Sequence, residues 1–395
     1  MIEIAAIVVA AVTVLFPSAM LSFLAVASLR RLSADTPIQP GSQGPVVAVL
    51  MAAHDEQQVI SATVAGIAAV DPTVRIHVMA DNCTDRTADL AAAAGACVHE
   101  RVDPLCTGKP AALNRLIAEV LVEDLRANAF AFVDADARPE PGFFAALRAP
   151  ISRGADAVQA RNLVAGSSAP LTRLRELAFH LKCELRPRAY EALGLSAGLH
   201  GNGMCLTRRL LKRYAWNERS VVEDGELHLR LVNDGVRVEF APGATVRSSM
   251  PDTFGNAAGQ AVRWERGKVD LFDDAVRLMR RGFGSRRVAA VAAAYDVFIP
   301  PLSVLIAASV ALMVAARAFG SAPLFAVGAI SLAGCGIYIA RGLSLARLGV
   351  ATMLSLVAWA VPYVSWKVVL LARTFLGAGR GQWTQARTRV KEVIG

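Results

Sequence analysis

The sequence predicts an α/β domain, a mostly parallel sheet flanked by helices, with apolar transmembrane helices at both ends of the chain. Three observations predict it. First, 54% of the 395 residues are hydrophobic and mean hydropathy is +0.42, yet 19% are charged. That is too apolar for an ordinary soluble chain and too charged for one made only of membrane helices. Second, short apolar runs alternate with helical segments from Val46 to about Gly284, as β-α-β units do. Third, the flanks of that region are apolar stretches of membrane length.

Residues Ile4 to Leu29 are uncharged and long enough to span a hydrocarbon core, and their length and lack of an N-terminal positive charge argue against a signal peptide. Arg30 and Arg31 follow, so the positive-inside rule sets the N-terminus outside and the next domain in the cytosol. The expected division is an N-terminal span over 1–31, a Pro/Gly/Ser linker over 32–45, a cytosolic domain over 46–284, about three helices over 285–372 and a basic tail over 373–395. Within the domain, strands are expected at Val46–Met51, Ile76–Ala80 and Ala129–Val133, and helices at Glu56–Val70, Arg86–Ala94 and Pro110–Arg126. The C-terminal spans are Val297–Ala316, Ala322–Ala340 and Leu348–Trp366. Three spans would leave the tail outside, although Lys367, Arg373, Arg380, Arg387, Arg389 and Lys391 belong on the inner side. Either one stretch is re-entrant or interfacial, or the tail breaks the charge rule. Asp296, just before Pro300-Pro301, reads as interfacial, and an intramembrane acid there would instead be a functional candidate.

The net charge of +9 and pI of about 9.6 suit anionic lipid, phosphorylated substrates or nucleic acid. Arg280, Arg281, Arg286 and Arg287 lie beside apolar segments, which favours lipid headgroups, and the Trp383–Arg389 stretch of the tail reads the same way. No basic motif with interleaved aromatics supports nucleic acid. The six cysteines form no Cys-x-x-Cys pair and no zinc spacing, and they read as reduced thiols of a cytosolic domain.

In a parallel sheet, ligands bind beyond the carboxyl ends of the strands. Three polar clusters fall there: His54-Asp55-Glu56, Asp81-Asn82 and Asp134-x-Asp136. Asp134 and Asp136 leave a buried strand at a turn, where both can approach a hard divalent ion bridging to a diphosphate; a solvated turn before Pro139 and Pro141 is the plainer reading. Thr84 is a candidate N-cap and Asp85 suits a helix N-terminus, but neither role explains Asp81, which fits base or ribose recognition. Lys109 precedes a helix with Pro110 near its first position, a good diphosphate contact, although surface lysines are common. Glu223 and Asp224 open an amphipathic helix; they are either caps or, for Asp224, a general base toward a hydroxyl. Gln260-Ala261-Val262-Arg263-Trp264 is either a site segment or part of an interfacial Arg/Trp belt.

Taken together and in order, the segments from Val46 to Lys268 and the flanking membrane layout resemble membrane-bound family 2 glycosyltransferases of the cellulose-synthase-like or hyaluronan-synthase-like kind. The resemblance implies a GT-A fold, Mg²⁺ or Mn²⁺, and inverting hexosyl transfer from a nucleotide-diphosphate sugar, usually UDP-linked, in the cell inner (plasma) membrane. By the same resemblance Ala53 and Glu56 would line the nucleoside pocket, Asp81 would contact the base, Lys109 the diphosphate, and Asp134 the nucleotide, while Asp136 would ligate the metal. Asp224 would be the catalytic base. Arg263 would close over the diphosphate, and His200, Gly201, Asn202, Glu223, Gln260 and Trp264 would face the acceptor. The sequence departs from the family pattern at His54-Asp55, at Asn82, where a second Asp is usual, and at Val222, where a Thr is usual. The Gln-x-x-Arg-Trp segment favours a polysaccharide synthase, with membrane lipids around it and a glycan acceptor. A small membrane domain favours single transfer to a lipid or polyprenyl phosphate. Intact Asp134, Asp136 and Asp224 argue against a third reading, an inactive membrane binding or transport protein.

Overall fold

The computed structural model describes residues 2–32, 44–166, 169–214, 216, 222–348 and 350–376. Its centre is an eight-stranded mixed sheet. The strands are β1 (Val47–Ala53), β2 (Arg75–Asp81), β3 (Cys97–Arg101), β4 (Ala129–Phe132), β5 (Ala137–Pro139), β6 (Ala157–Val164), β7 (Met204–Thr207) and β8 (Val238–Ser248), in the order β3-β2-β1-β4-β7-β6-β8-β5. The first four are mutually parallel. β7 pairs antiparallel with both β4 and β6, β6 runs parallel to β8, and β5 closes the edge antiparallel to β8. The sheet is therefore mixed: the β-α-β signal holds for the N-terminal half and gives way beyond β4.

β1 and β4 read as continuous apolar runs, and β2 nearly so, because both faces are covered; β3, at the sheet edge, is half-buried to exposed. Helix Ile60–Val70 packs on one face with Phe143, Phe144 and Leu147. Helix Lys109–Glu123 packs on the other through Leu113, Leu116, Ile117 and Val120. The first of these helices starts later than the expected Glu56. Asp55 sits at φ +54°, and the Glu56 and Gln57 N–H groups are taken by Thr87 and Asp85 of the following loop. Thr84 does not cap a helix; its N–H and hydroxyl bond to the Asp55 carboxylate, while Asp85 accepts the Thr87 N–H at 2.9 Å.

Among the described residues, four helices are long and apolar enough to cross a membrane: Glu3–Ala27, Leu302–Phe319, Ala322–Ala346 and Met353–Thr374. The second starts five residues later than expected, because Pro300-Pro301 breaks the chain after a short helix, Val288–Phe298. That short helix packs on the catalytic domain, and Asp296 within it takes the Tyr190 hydroxyl at 2.8 Å and Arg186 at 3.2 Å. Two of the arginines assigned to lipid are engaged with protein. Arg287 donates to the Val232 and Asn233 carbonyls at the C-terminus of helix Glu223–Asn233, and Arg281 donates to the Asn233 side chain. Lys367 is not part of a tail. It lies within helix Val350–Phe375 and pairs with Glu265 at 3.1 Å, in line with Phe254 against Trp366. The last helix therefore leans on helices Pro170–His180 and Phe254–Asp270 of the catalytic body. The tail beyond Leu376, with Arg380, Trp383, Arg387, Arg389 and Lys391, lies outside the described residues.

Candidate active site

The strand ends deliver the first half of the site. β4 releases the chain at Val133, whose N–H donates to Leu50 O at 3.1 Å. The Asp134–Asp136 turn is then held from three sides. Thr63 of helix Ile60–Val70 donates its hydroxyl to Ala135 O at 2.7 Å, the Asp134 N–H reaches Asn202 Oδ1 at 3.2 Å, and the Ala137 N–H returns to Asp134 O at 3.0 Å. The backbone of the turn is thereby held by the fold, while the Asp134 and Asp136 side chains are half-buried.

Lys109, at the start of its helix, reaches Asp134 Oδ1 at 2.7 Å and Glu223 Oε1 at 3.4 Å. Burial works against its ammonium, but Asp134, Glu223 and Asp224 around it hold its pKa above the ordinary lysine value. The acids outnumber that one lysine. Burial and the neighbouring Asp134 push Asp136 up to about 6, and burial with Asp136, Asp85 and Asp134 pushes Glu56 up to about 7. Half-buried like charges of this kind fit a divalent cation, with Asp136 as the oxygen donor and Asp134 beside it.

Asp81, expected at the nucleoside, ends β2. It is 3% exposed and pairs with Arg101 Nη1 at 2.5 Å; Arg101 Nη2 also binds Asp103 and the Cys106 carbonyl. Arg101 escaped the sequence reading, since a lone arginine at the end of an edge strand carries no motif. Asn82 sits at φ +51°, a left-handed conformation that asparagine tolerates better than most residues, and its side-chain oxygen accepts the Asp103 N–H at 2.7 Å. His54 Nδ1 contacts Asp81 O at 2.7 Å, and Ala53 ends β1 beside Ala80.

The residues expected to face the acceptor come from segments distant in the chain. Glu223 and Asp224 open helix Glu223–Asn233, and Asp224 Oδ1 accepts the Gly225 N–H at 2.8 Å. Burial raises both carboxyls above the ordinary range, and the neighbouring Asp224 adds to the rise of Glu223. Gly201 stands opposite at φ +69°. A β-carbon there would lie 3.5 Å from Asp224 Oδ2 and 3.7 Å from Lys109 Nζ, so a side chain would crowd the space between the two. Asn202 is 3% exposed; its amide is occupied by the Asp134 N–H and by Ser248 Oγ at 2.9 Å, which makes it a strut between the two halves. Burial holds the His200 imidazole down at about 3, and the His200 N–H donates to Gln159 Oε1 at 2.9 Å. Gln159 and Ser248 also went unread, as buried polar residues inside strands.

Helix Phe254–Asp270 brings Gln260, Arg263 and Trp264 to the same end. It approaches the Asp224 segment closely because position 267 is glycine: a β-carbon there would lie 2.8 Å from Val222 Cγ1. Burial lowers the Arg263 pKa, opposed by Glu223. Gln260 and Trp264 turn toward Arg175, the one accepting a hydrogen bond from its guanidinium and the other stacking under it at 5.7 Å.

A family model described as "Glycosyltransferase like family 2" matches residues 44–267, more than half of the chain. The chain belongs to this family. As a family 2 glycosyltransferase it is 28% identical over 146 residues to "Probable glucomannan 4-beta-mannosyltransferase 7" of Oryza sativa subsp. japonica, a match covering 36% of this chain and 25% of that protein. It is 25% identical over 240 residues to "Probable glycosyltransferase YdaM" of Bacillus subtilis (strain 168), covering 56% of this chain and 55% of the relative. The matched region thus spans between a quarter and about half of these relatives' length. Among solved structures, the mannosyltransferase PcManGT from Pyrobaculum calidifontis, in complex with GDP-Man and Mn²⁺, superposes with a TM-score of 0.59 at 18% identity, over 94% of this chain and 98% of that one. The GT-A fold expected from sequence is the fold observed, and the likeness extends past the catalytic domain into the apolar helices.

Proposed function

We propose that this glycosyltransferase performs inverting, metal-dependent transfer of a hexose from a nucleotide-diphosphate sugar to a glycan acceptor at the membrane. The observation that carries the proposal is the convergence of Asp134, Asp136, Lys109, Glu223 and Asp224 on one cleft, with Lys109 2.7 Å from Asp134 and 3.4 Å from Glu223. Asp81, Ala53 and Glu56 bound the nucleoside end, and Arg263 approaches from the acceptor side. Mg²⁺ or Mn²⁺, held by Asp136 beside Asp134, would supply Lewis-acid neutralisation of the diphosphate. Lys109 adds a fixed positive charge where the leaving group develops its negative charge. Asp224, raised above the ordinary carboxylate range by burial, takes the proton from the acceptor hydroxyl as that oxygen attacks the anomeric carbon from the face opposite the diphosphate. One displacement inverts the centre, and no enzyme nucleophile is required.

UDP-linked sugars are the donor class the sequence resemblance favours. GDP-mannose deserves a place beside them, because the rice relative and the Pyrobaculum protein are both named as mannosyltransferases. The four apolar helices support an inner-membrane location with the catalytic domain on the cytosolic side, where nucleotide sugars are made. The test is incubation of membranes carrying the full chain with labelled UDP-glucose, UDP-N-acetylglucosamine or GDP-mannose plus Mn²⁺, followed by separation of lipid-soluble from polymeric product. High-mass product from one donor is the expected result. A single lipid-extractable species would overturn the polysaccharide reading, and no transfer from any donor would overturn the activity.

A further inference from the structure

Arg175 lies on helix Pro170–His180, outside every motif, and is only 5% exposed. Its Nη2 donates to Gln260 Oε1, and its guanidinium lies over the Trp264 ring at 5.7 Å, with Phe179 6.0 Å from the same ring. Nη1 is buried without a hydrogen-bond partner among the described residues. Burial lowers its pKa below the ordinary arginine value. A guanidinium so enclosed is expensive to bury, and an apolar side chain of similar length would pack at less cost. What the arginine provides is orientation: one planar group fixes an amide through a hydrogen bond and an indole through stacking, which lysine cannot do together. The same helix packs on β6 and on the last apolar helix, so the anchor is rigid on both sides.

We propose that Arg175 is a positioning residue that sets Gln260 and Trp264 for the acceptor. The inference rests on the reading above, in which the Gln260–Trp264 segment faces the acceptor. Misplacement of such a segment by about an ångström is enough to lower turnover on the order of 10²-fold.

The experiment compares Arg175→Met, Arg175→Lys and Gln260→Leu in membranes carrying the full chain. It follows sugar incorporation from the donor that the unmodified protein uses, and UDP or GDP affinity with Mn²⁺ by calorimetry. Arg175→Met should lower incorporation about 10- to 100-fold while nucleotide affinity stays within about twofold, and Arg175→Lys should recover part of the loss. The double variant Arg175→Lys with Gln260→Leu should lose less than the two single losses combined, because both act on the Gln260–Trp264 segment. Unchanged incorporation in Arg175→Met overturns the proposal. So does a loss of nucleotide affinity in step with incorporation, the mark of a merely structural role, or additive losses in the double variant. If Arg175→Met fails to fold, the Arg175→Lys and Gln260→Leu pair decides by the same criterion. If Gln260→Leu itself transfers normally, it is the acceptor reading that falls; if Gln260→Leu is impaired and neither Arg175 variant is, only the positioning role falls.

Discussion

The donor half and the acceptor half of the cleft are built by different means. The proposed donor half is four parallel strands whose carboxyl ends carry Glu56, Asp81 and Asp134-x-Asp136 within about 90 residues of chain, with β1, β2 and β4 buried on both faces and β3 at the edge. The acceptor half is drawn from helices more widely spaced along the chain: Arg175, the turn at Gly201, Asp224, and Gln260 to Trp264. A strand end fixes a side chain through the sheet ladder; a helix fixes one only through what it packs against. The acceptor half is therefore the one coupled to the membrane, through Glu265 with Lys367 and Phe254 with Trp366. On the proposed reading, these strand-end donor residues sit on the sheet, and the acceptor residues Gln260 and Trp264 sit on a helix that packs against the last apolar helix.

Variants on the two sides should separate binding from transfer. The largest effect is expected for Asp136→Ala, which removes the better metal ligand: about 4 kcal/mol of transition-state stabilisation, or roughly 10³-fold in kcat/KM, with Mn²⁺-dependent nucleotide binding lost in the same calorimetric titration. Lys109→Met should follow at about 10²-fold, read as kcat/KM for the donor. Its partners Asp134 and Glu223 then face one another without a cation, so thermal stability measured alongside should fall as well.

The pH dependence belongs to the donor side. Asp136 is pushed up to about 6 in the free protein, so the carboxylate form needed for metal is lost as pH falls through that value. Apparent Mn²⁺ affinity should therefore weaken about tenfold per pH unit below about 6 and level off above about 7, as followed by titration at fixed ionic strength. A flat profile across that range would remove Asp136 from the metal site. The smallest effect is expected for Lys367→Met, far from the chemistry. Loss of its pairing with Glu265 should change incorporation by about two- to thirtyfold, corresponding to about 0.5–2 kcal/mol of coupling, and leave nucleotide affinity alone.

The same division explains what could be read from sequence. β1, β2 and β4 were legible because a doubly covered parallel strand is an apolar run ended by polar residues, and the site residues stood at those ends. The strands β6, β7 and β8 of the mixed half were not, because their pairing is set by long-range register rather than local alternation. Arg101, Gln159, Ser248 and Arg175 were missed for a related reason: each acts through a partner distant in the chain, and nothing adjacent to it marks the partnership. Lys367 and Arg287 were misplaced because charge near an apolar stretch looks the same in sequence whether it meets lipid or protein. Pairing with Glu265 and with the end of helix Glu223–Asn233 distinguishes the two.

The most direct test of the account is Asp224→Asn, which keeps the shape of the side chain and removes only its basicity. Sugar incorporation and nucleotide affinity would be measured on the same membranes. The account expects incorporation to fall by about 10²- to 10⁴-fold with nucleotide affinity unchanged within about twofold. Normal incorporation by Asp224→Asn would contradict it.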